Sequence, residues 1–343
     1  MIAIATCWPD SVAAGSGTTV SQNALVSALA LAGEEAKLLC TSRFGRTLSE
    51  VASREQANAA LDFDGCEAVI GIDGEGWQWA ASPARSAPYV AFCEAVLTEV
   101  LPYETGDSAR VLAKQAEWEA GAARIADAVV ARSNFAADRV ADSYGVPRDR
   151  ITVLPIPFDV DTFRASLPRL PKEALVLAVG HAYLRKNYGA LLRAWPRVSE
   201  ARPDAQLVIV GEGPETSALR QLAGRSVQLM GHLPLDELRS LHARAQVFCH
   251  PSLQENFGIA AVEGLASGAS LVVHHQPAIL ENAGGLDGVW AVDARQPDEI
   301  ARALIEALAG PTSWPDLRLD RLRHKLNPER IGRQLAGLLM SME

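Results

Sequence analysis

Two halves of the chain repeat one pattern, in which a short apolar run precedes a glycine-containing turn and an Ala/Leu-rich helical stretch. This alternation is typical of βα units on a parallel sheet. Four prolines within 155–171 indicate a connector between the halves. The sequence therefore predicts an α/β protein with two doubly wound parallel-sheet domains, over 1–165 and 171–325. Ligands of such sheets bind at the carboxyl ends of the strands, so we expect a cleft where the two domains face each other.

The charge balance restricts the classes of ligand that the chain can bind. Its 343 residues include 41 acidic and 32 basic side chains, which gives a formal net charge of −9. Nucleic-acid binders normally carry a basic surface that neutralises phosphates, so we expect no nucleic-acid partner. An acidic protein can still bind one small anionic ligand where a few cations are focused in a cleft.

The sequence carries no signal for a membrane or for secretion. No run reaches the roughly 18 apolar residues that a membrane-spanning helix needs. No basic segment precedes the first strand-like run, as a secretory signal would require. The five cysteines are odd in number and widely spaced, which favours reduced thiols. We expect a cytoplasmic protein without a transmembrane segment, and the sequence leaves its oligomeric state open.

The segment 251–268 carries two glutamates in a frame of small residues. It follows a strand-like run and opens a helix near Phe257, whose first backbone N–H groups suit hydroxyls and phosphate. Glu255 falls at the start of this helix, and Glu263 falls within it, eight residues later. A carboxylate can accept both hydrogen bonds of a vicinal diol, and a buried carboxylate needs such a partner. In the alternative, Glu255 caps the helix and Glu263 faces solvent, but the pair in this Gly/Ala-rich frame favours a ligand site.

Two turns could contact a phosphate group. Arg185 and Lys186 follow the first strand of the second domain, where a forked guanidinium and a compact ammonium can neutralise a diphosphate. In isolation, a solvated basic pair is the simpler interpretation. Gly15 and Gly17 precede the first helix but lack the third glycine of a dinucleotide fingerprint. A structural turn and a phosphate loop explain these glycines equally well.

Together, these segments resemble the retaining glycosyltransferases of family 4, which have the GT-B fold. Glu255 and Glu263 match the two glutamates of the family's E-x7-E motif. The segment 185–187, Arg-Lys-Asn, matches the family's Arg-Lys-Asn/Gly segment, and 210–214, Val-Gly-Glu-Gly-Pro, matches its Val-Gly-x-Gly-Pro turn. The resemblance is specific over 175–281, where these segments occur in order, and it is looser in the N-terminal half.

The resemblance implies how a nucleotide sugar would be held. Glu263 would bind the ribose, Glu255 would bind hydroxyls of the donor sugar, and the basic pair would hold the diphosphate. The last helix, within 328–343, would pack back on the N-terminal domain. The implied catalytic residues are Glu255, Arg185 and Lys186. The implied donor-binding residues are Gly15, Gly17, Arg185, Lys186, His232, Glu255, Asn256, Phe257, Gly258 and Glu263.

The acceptor side departs from the family pattern. Many members have a histidine after the strand that corresponds to 89–92, where this chain has Cys93 and Glu94. After another strand, a turn with two tryptophans offers flat faces for stacking, and its two carboxylates could accept hydrogen bonds. Core packing explains the same aromatics equally well. The predicted acceptor-binding residues are Asp73, Glu75, Trp77, Trp79, Cys93 and Glu94.

The sequence thus predicts a hexosyltransferase that needs neither a metal nor a cofactor. Its donor would be a nucleoside-diphosphate sugar, with UDP the commonest choice in the family, and its acceptor a small soluble molecule such as a natural-product intermediate. The D-x-D triplets at 62–64 and 159–161 are frequent by chance, and His274-His275 has no further ligand at zinc spacing. The alternatives are a glycosyltransferase that builds a cell-envelope glycolipid or polysaccharide, a nucleotide-sugar epimerase, and a non-catalytic sugar-nucleotide-binding protein.

Overall fold

The structure is a computed structural model that describes residues 1–7, 17–41 and 48–342. The chain divides into two compact units. The N-terminal unit comprises Met1–Phe158 together with Leu326–Glu343, and the C-terminal unit is the continuous segment Asp159–Lys325. The boundary thus precedes the predicted limit at residue 165, because the helix Val160–Ala165 contacts a helix of the C-terminal unit.

Within the described residues, the chain forms twelve strands and fifteen α-helices, joined by turns and short 3-10 segments. The strands are β1 Ile2–Thr6, β2 Ala36–Cys40, β3 Ala68–Ile72, β4 Tyr89–Cys93, β5 Ala128–Ala131, β6 Ile151–Val153, β7 Glu173–Val179, β8 Gln206–Val210, β9 Val227–Met230, β10 Ala245–His250, β11 Ser270–His274 and β12 Val289–Val292. The helices are α1 Gly17–Leu31, α2 Leu48–Ala59, α3 Trp77–Ala80, α4 Leu97–Val100, α5 Gly106–Ile125, α6 Asn134–Tyr144, α7 Val160–Ala165, α8 Tyr188–Ala201, α9 Thr216–Leu222, α10 Leu235–Arg244, α11 Ile259–Ala266, α12 Pro277–Ala283, α13 Pro297–Ala309, α14 Asp320–Leu326 and α15 Pro328–Met340.

Each unit contains one six-stranded parallel sheet. The order is β2-β1-β3-β4-β5-β6 in the N-terminal unit and β12-β11-β10-β7-β8-β9 in the C-terminal unit. Strands β1, β3, β4 and β10 are buried along their whole length, as strands covered by helices on both faces must be. The predicted alternation of strands and helices is present in both units. The predicted α/β class with two doubly wound parallel sheets is therefore confirmed.

Two glycines allow helices to lie unusually close to their neighbours. A Cβ atom on Gly332 of α15 would lie 1.9 Å from the carbonyl oxygen of Ala28 in α1, so only glycine fits this helix contact. Leu335 and Leu339 of α15 are buried in the same apolar cluster as Leu25 of α1. Thus α15 completes the core of the N-terminal unit. In the C-terminal unit, a Cβ on Gly264 of α11 would lie 2.4 Å from the ring of Phe248 in β10.

No helix in the described part of the chain is both long enough and apolar enough to cross a membrane.

Candidate functional site

The turn between β10 and α11 presents Glu255 at the carboxyl edge of the second sheet. Gly258 ends the turn in a left-handed conformation, with φ of 79°, and a Cβ there would lie 2.9 Å from Ile279 Cγ1. Gln276 fixes the turn further by donating to the Glu255 carbonyl oxygen at 2.6 Å. Asn256 and Phe257 of the same turn are buried. The backbone that carries Glu255 is therefore held on several sides.

Three nitrogen-bearing side chains surround the Glu255 carboxylate. Lys186 Nζ donates to Oε1. His250 Nε2 lies 3.0 Å from the same oxygen, and Arg185 Nη1 lies 3.7 Å from it. Burial by itself would raise the pKa of Glu255, but the charge of Lys186 and the hydrogen bond from His250 outweigh it. The pKa of Glu255 is therefore well below its ordinary value, and the carboxylate is ionised.

His250 is a member of this cluster that sequence reasoning missed. It is the last residue of β10, with 2% of its surface exposed. Burial lowers its pKa, so it is neutral at pH 7 and donates one N–H to Glu255. The available signal was its position at the carboxyl end of a strand, directly before the segment that carries the two glutamates.

The turn after β7 carries both cations and is held by backbone contacts. Arg185 accepts a hydrogen bond from Leu253 N at its carbonyl oxygen, 2.8 Å away, and its guanidinium donates to the Gln254 carbonyl at 3.2 Å. Asn187 adopts a left-handed conformation, with φ of 58°, and its side chain donates to Ala294 O at 2.7 Å. The two turns are thus joined, which sets the distance between the cations and Glu255.

The glycines of the turn after β8 support this arrangement. A Cβ on Gly211 would lie 2.3 Å from the Gly180 carbonyl oxygen, and one on Gly213 would lie 2.7 Å from that of Ala182. The segment 210–214 therefore packs directly on the turn that leads to Arg185 and Lys186. Its glycines are required by this close approach of two backbones.

Glu263 lies on α11, the helix that begins after the Glu255 turn. Its side chain is half-buried, and no hydrogen bond or ion pair to it occurs among the described residues. Burial raises its pKa to about 7. The close contact of Gly264 with Phe248 holds this helix against β10. A half-buried carboxylate without a partner is suited to receiving hydroxyl donors from a ligand.

The remaining predicted donor residues are His232, Gly17 and Gly15. His232 is exposed and follows β9 by two residues. Gly17 is the first residue of α1 in the N-terminal unit. Gly15 lies outside the described residues, so the structure says nothing about its predicted role.

The predicted acceptor residues lie at the carboxyl ends of β3 and β4. Glu75 is fully buried, and Arg54 and Asn58, both on α2, donate to its carboxylate. Trp77 and Trp79 on α3 are half-buried, and the Trp79 ring lies 4.9 Å from that of Phe63. These aromatics contribute to the core of the N-terminal unit. Their predicted contact with an acceptor remains a prediction.

The other acceptor residues belong to one buried polar network. Glu94 accepts hydrogen bonds from Ser21 and Arg132, and Asp73 accepts from the backbone N–H groups of Glu94 and Ala95. Cys93 is buried beside them. Sequence reasoning missed Arg54, Ser21 and Arg132, because none of these residues stands near its partner in the chain.

His274, His275 and Asp293 form the one His/Cys/Asp/Glu group of metal-site size that the described residues contain. The Nδ1 atom of His274 accepts from Ala294 N at 3.1 Å. Asp293 is held by Arg295, at 2.8 Å and 3.1 Å on its two oxygens. His274 and Asp293 are therefore already hydrogen-bonded to other groups of the protein.

Two protein families match this chain in adjoining segments. "Glycosyltransferase Family 4" matches residues 73–162, and "Glycosyl transferases group 1" matches residues 173–310. A GDP-mannose-dependent alpha-(1-6)-phosphatidylinositol monomannoside mannosyltransferase of Mycobacterium tuberculosis is 30% identical over 256 residues, or 68% of this chain and 66% of the relative. The matched part is less than half the length of several other curated relatives.

Solved structures share the fold over nearly the whole chain. Sucrose-phosphate synthase of Thermosynechococcus elongatus superposes with a TM-score of 0.76 at 18% identity, covering 99% of this chain and 98% of that one. The Anabaena protein HepE, in complex with UDP and glucose, gives a TM-score of 0.70 at 14% identity, with 99% of both chains covered. At these identities, the likeness establishes the fold alone.

Proposed function

Because this chain belongs to the family 4 glycosyltransferases and has the GT-B fold, we propose that it transfers a sugar from a nucleoside-diphosphate sugar to an acceptor hydroxyl with retention of configuration. The observation that carries the proposal is the pair of carboxylates around α11. Glu255 is ionised and held by two cations, and Glu263 has a carboxylate with no hydrogen-bond or ion-pair partner among the described residues.

The charge of the cluster suits a diphosphate. Arg185 and Lys186 carry two positive charges, Glu255 carries one negative charge, and neutral His250 adds none. One net positive charge therefore remains, next to the backbone N–H groups that begin α11. The diphosphate binds to the two cations, while Glu255 accepts hydrogen bonds from the donor sugar. Glu263 accepts hydrogen bonds from the ribose diol.

These residues catalyse the reaction chiefly by stabilising the leaving group. The bond between the anomeric carbon and the diphosphate oxygen breaks as the acceptor oxygen bonds to the same face of that carbon. The acceptor's proton passes to the departing diphosphate. Arg185 and Lys186 stabilise the negative charge that develops there, so no metal ion is needed in this scheme. Because both cations are already held beside Glu255, little reorganisation accompanies the reaction.

For the donor base and the acceptor, we propose a uridine nucleotide and a small soluble hydroxyl compound. The UDP in the Anabaena HepE complex supports the base, and the net charge of −9 disfavours an anionic membrane surface. The five free cysteines support the proposal that the protein functions in the cytoplasm, which is a reducing compartment. The second candidate is a GDP-mannose-dependent enzyme of glycolipid synthesis, which the M. tuberculosis relative favours.

A thermal-shift screen of nucleoside diphosphates and their sugars tests the proposal. A ligand that binds only the native state raises the melting temperature, by an amount that grows with its concentration relative to Kd. We expect one base to produce the largest rise. In Glu263→Ala that rise disappears, whereas in the control Glu237→Ala, an exposed position on α10, it remains.

The same screen separates the alternatives. A rise with GDP but not with UDP would identify the second candidate. Release of nucleoside diphosphate from the bound sugar, in the presence of acceptor mixtures, distinguishes an enzyme from a binding protein. An unchanged rise in Glu263→Ala would show that the ribose is bound elsewhere and would refute the proposed site.

A further inference from the structure

Three buried carboxyl groups belong to the N-terminal unit, two in the turn after β3 and one on α5. They belong to Asp73, Glu75 and Glu119, with exposed fractions of 9%, 0% and 1%. The negative charge of Glu75 is balanced, because Arg54 forms an ion pair with it. Arg54 is itself buried, and its guanidinium donates to Glu75. One cation neutralises one carboxylate, so Asp73 and Glu119 need another source of stabilisation.

The hydrogen bonds of Glu119 leave one of its oxygens without a donor. Oε2 accepts from Leu97 N at 2.9 Å and from the hydroxyl of Tyr144. Oε1 is buried and has no donor among the described groups when both carboxyls are taken as ionised. Asp73 lies within hydrogen-bonding reach of the Glu119 carboxylate and is the side chain that could supply this donor.

Asp73 has the complementary arrangement. Its Oδ1 accepts from the backbone N–H groups of Glu94 at 2.9 Å and of Ala95 at 3.1 Å. These two bonds engage one oxygen only. The other oxygen, Oδ2, is available to carry a proton. A proton there would supply the donor that Glu119 Oε1 lacks.

We propose that Asp73 is a protonated carboxylic acid that donates to Glu119, and that this acid–carboxylate pair fixes the turn after β4. A carboxyl that is neutral can donate one hydrogen bond and accept others, which is what the geometry around Asp73 requires. Two adjacent buried carboxylates with no donor between them would repel each other. Burial, together with the charges of Glu119 and Glu94, raises the pKa of Asp73 well above its ordinary value.

Other ionisable groups face the pair from each neighbouring element. They are Arg54 of α2, Glu75 of the turn after β3, Cys93 and Glu94 at the end of β4, Tyr89 within β4, and Tyr144 of α6. Burial raises the pKa of Cys93 and of both tyrosines, so these three stay neutral at pH 7. Burial also raises the pKa of Glu119, but the hydrogen bonds that its carboxylate accepts from Leu97 N and Tyr144 oppose this, so the proton of the pair belongs to Asp73.

Asp73 acts on Glu94 as a positioning residue. Its two accepted bonds fix the backbone at Glu94, and the Glu94 carboxylate accepts from Ser21 at 2.6 Å and from Arg132 Nε at 3.1 Å. The cluster therefore joins α1, β4 and β5 at the carboxyl edge of the first sheet. If Glu94 contacts the acceptor, Asp73 sets the place of that carboxylate, and this one step rests on the proposed function.

Infrared spectroscopy tests the proton directly and does not depend on activity. At pH 8, the difference spectrum between the wild-type protein and Asp73→Asn should contain the C=O stretch of a protonated carboxylic acid. The signal should be lost in Glu119→Gln as well, because an amide at 119 can donate to an ionised Asp73. No acid signal in the wild-type protein would overturn the proposal, whatever the variants do.

The pH dependence of unfolding gives a second readout. A group whose pKa is raised in the native state adds stability at low pH and loses it as the pH rises through that pKa. Between pH 5 and 7, the unfolding constant of the wild-type protein should therefore rise about tenfold more per pH unit than that of Asp73→Asn.

Asparagine keeps one donor and one acceptor, so Asp73→Asn should also retain the native fold, whereas Asp73→Ala should lose stability at every pH. Equal pH slopes in the wild-type protein and Asp73→Asn would contradict the proposal. Equal stability of the Asn and Ala variants would show that the side chain positions nothing.

Discussion

Replacing Glu263 by glutamine should stabilise the protein and weaken nucleotide binding at the same time. The pKa of this half-buried carboxyl is raised to about 7, from an ordinary value of 4.5, because burial disfavours its charged form. Below pH 4.5 the group is protonated in both the native and the unfolded state and has no effect. Between about pH 4.5 and 7 the unfolded state ionises while the native state stays protonated, so the native state loses relative stability until the group is ionised in both states.

The magnitude follows from the two pKa values. A difference of about 2.5 pH units corresponds to about 3.4 kcal/mol at pH 8, since each unit represents about 1.36 kcal/mol. Glu263→Gln removes this penalty, because glutamine does not ionise. For a domain of 150 to 250 residues, about 1 kcal/mol shifts the melting temperature by roughly 2–4 °C. We therefore expect a rise of about 7–14 °C at pH 8 and no rise at pH 4.

The assay is thermal unfolding of the wild-type protein and Glu263→Gln at a series of pH values, with and without the nucleotide identified in the screen. The stability gain should appear only above pH 5, while the melting-temperature rise produced by nucleotide should shrink, because an amide replaces one of two acceptor oxygens. A pH-independent difference between the two proteins would refute the assigned ionisation. A stabilised variant with undiminished nucleotide binding would refute the ribose role.

Two further predictions concern helix packing and the cation cluster. Gly332→Ala places a methyl group against the Ala28 carbonyl and should destabilise the protein by about 1–3 kcal/mol. The matched control Gly337→Ala, on the same helix with open space around it, should be neutral or stabilising by up to about 1 kcal/mol in urea unfolding, and equal effects would contradict the close contact. Lys186→Met removes the closest cation of Glu255, so the pKa of Glu255 should rise. The affinity for a nucleoside diphosphate should fall and become less sensitive to salt, as measured by calorimetric titration. An unchanged salt dependence would contradict the predicted phosphate contact.

Local patterns in the chain were sufficient to predict the strands and the fold class. Each strand is a short apolar run that ends at a turn, and in a parallel sheet such runs are buried on both faces. The unit boundary was predicted too late, because α7 follows the first prolines and yet packs against α11. Proline density identifies a connector, but it does not identify the unit that adjoining residues join.

Some of the polar contacts could likewise be predicted from local sequence patterns, and others could not. Glu255 and the Arg185-Lys186 pair could be singled out because each stands in a recognisable local segment, and the structure brings them within hydrogen-bond or ion-pair distance. The pairs Arg54–Glu75 and Asp73–Glu119 join residues far apart in the chain. Their formation depends on which helix covers which strands, and no local pattern encodes that. The nucleotide and acceptor roles of the predicted residues remain predictions.

The place of α15 has a consequence for biosynthesis. The C-terminal unit is one continuous stretch, so all of its strands are synthesised before α15. The N-terminal unit begins first, but its apolar cluster of Leu25, Leu335 and Leu339 is completed only after α15 emerges. During translation, the apolar residues of the N-terminal unit that α15 covers therefore stay exposed, while the C-terminal unit can already fold. Chaperone contact and proteolytic nicking of nascent chains should concentrate on the N-terminal unit.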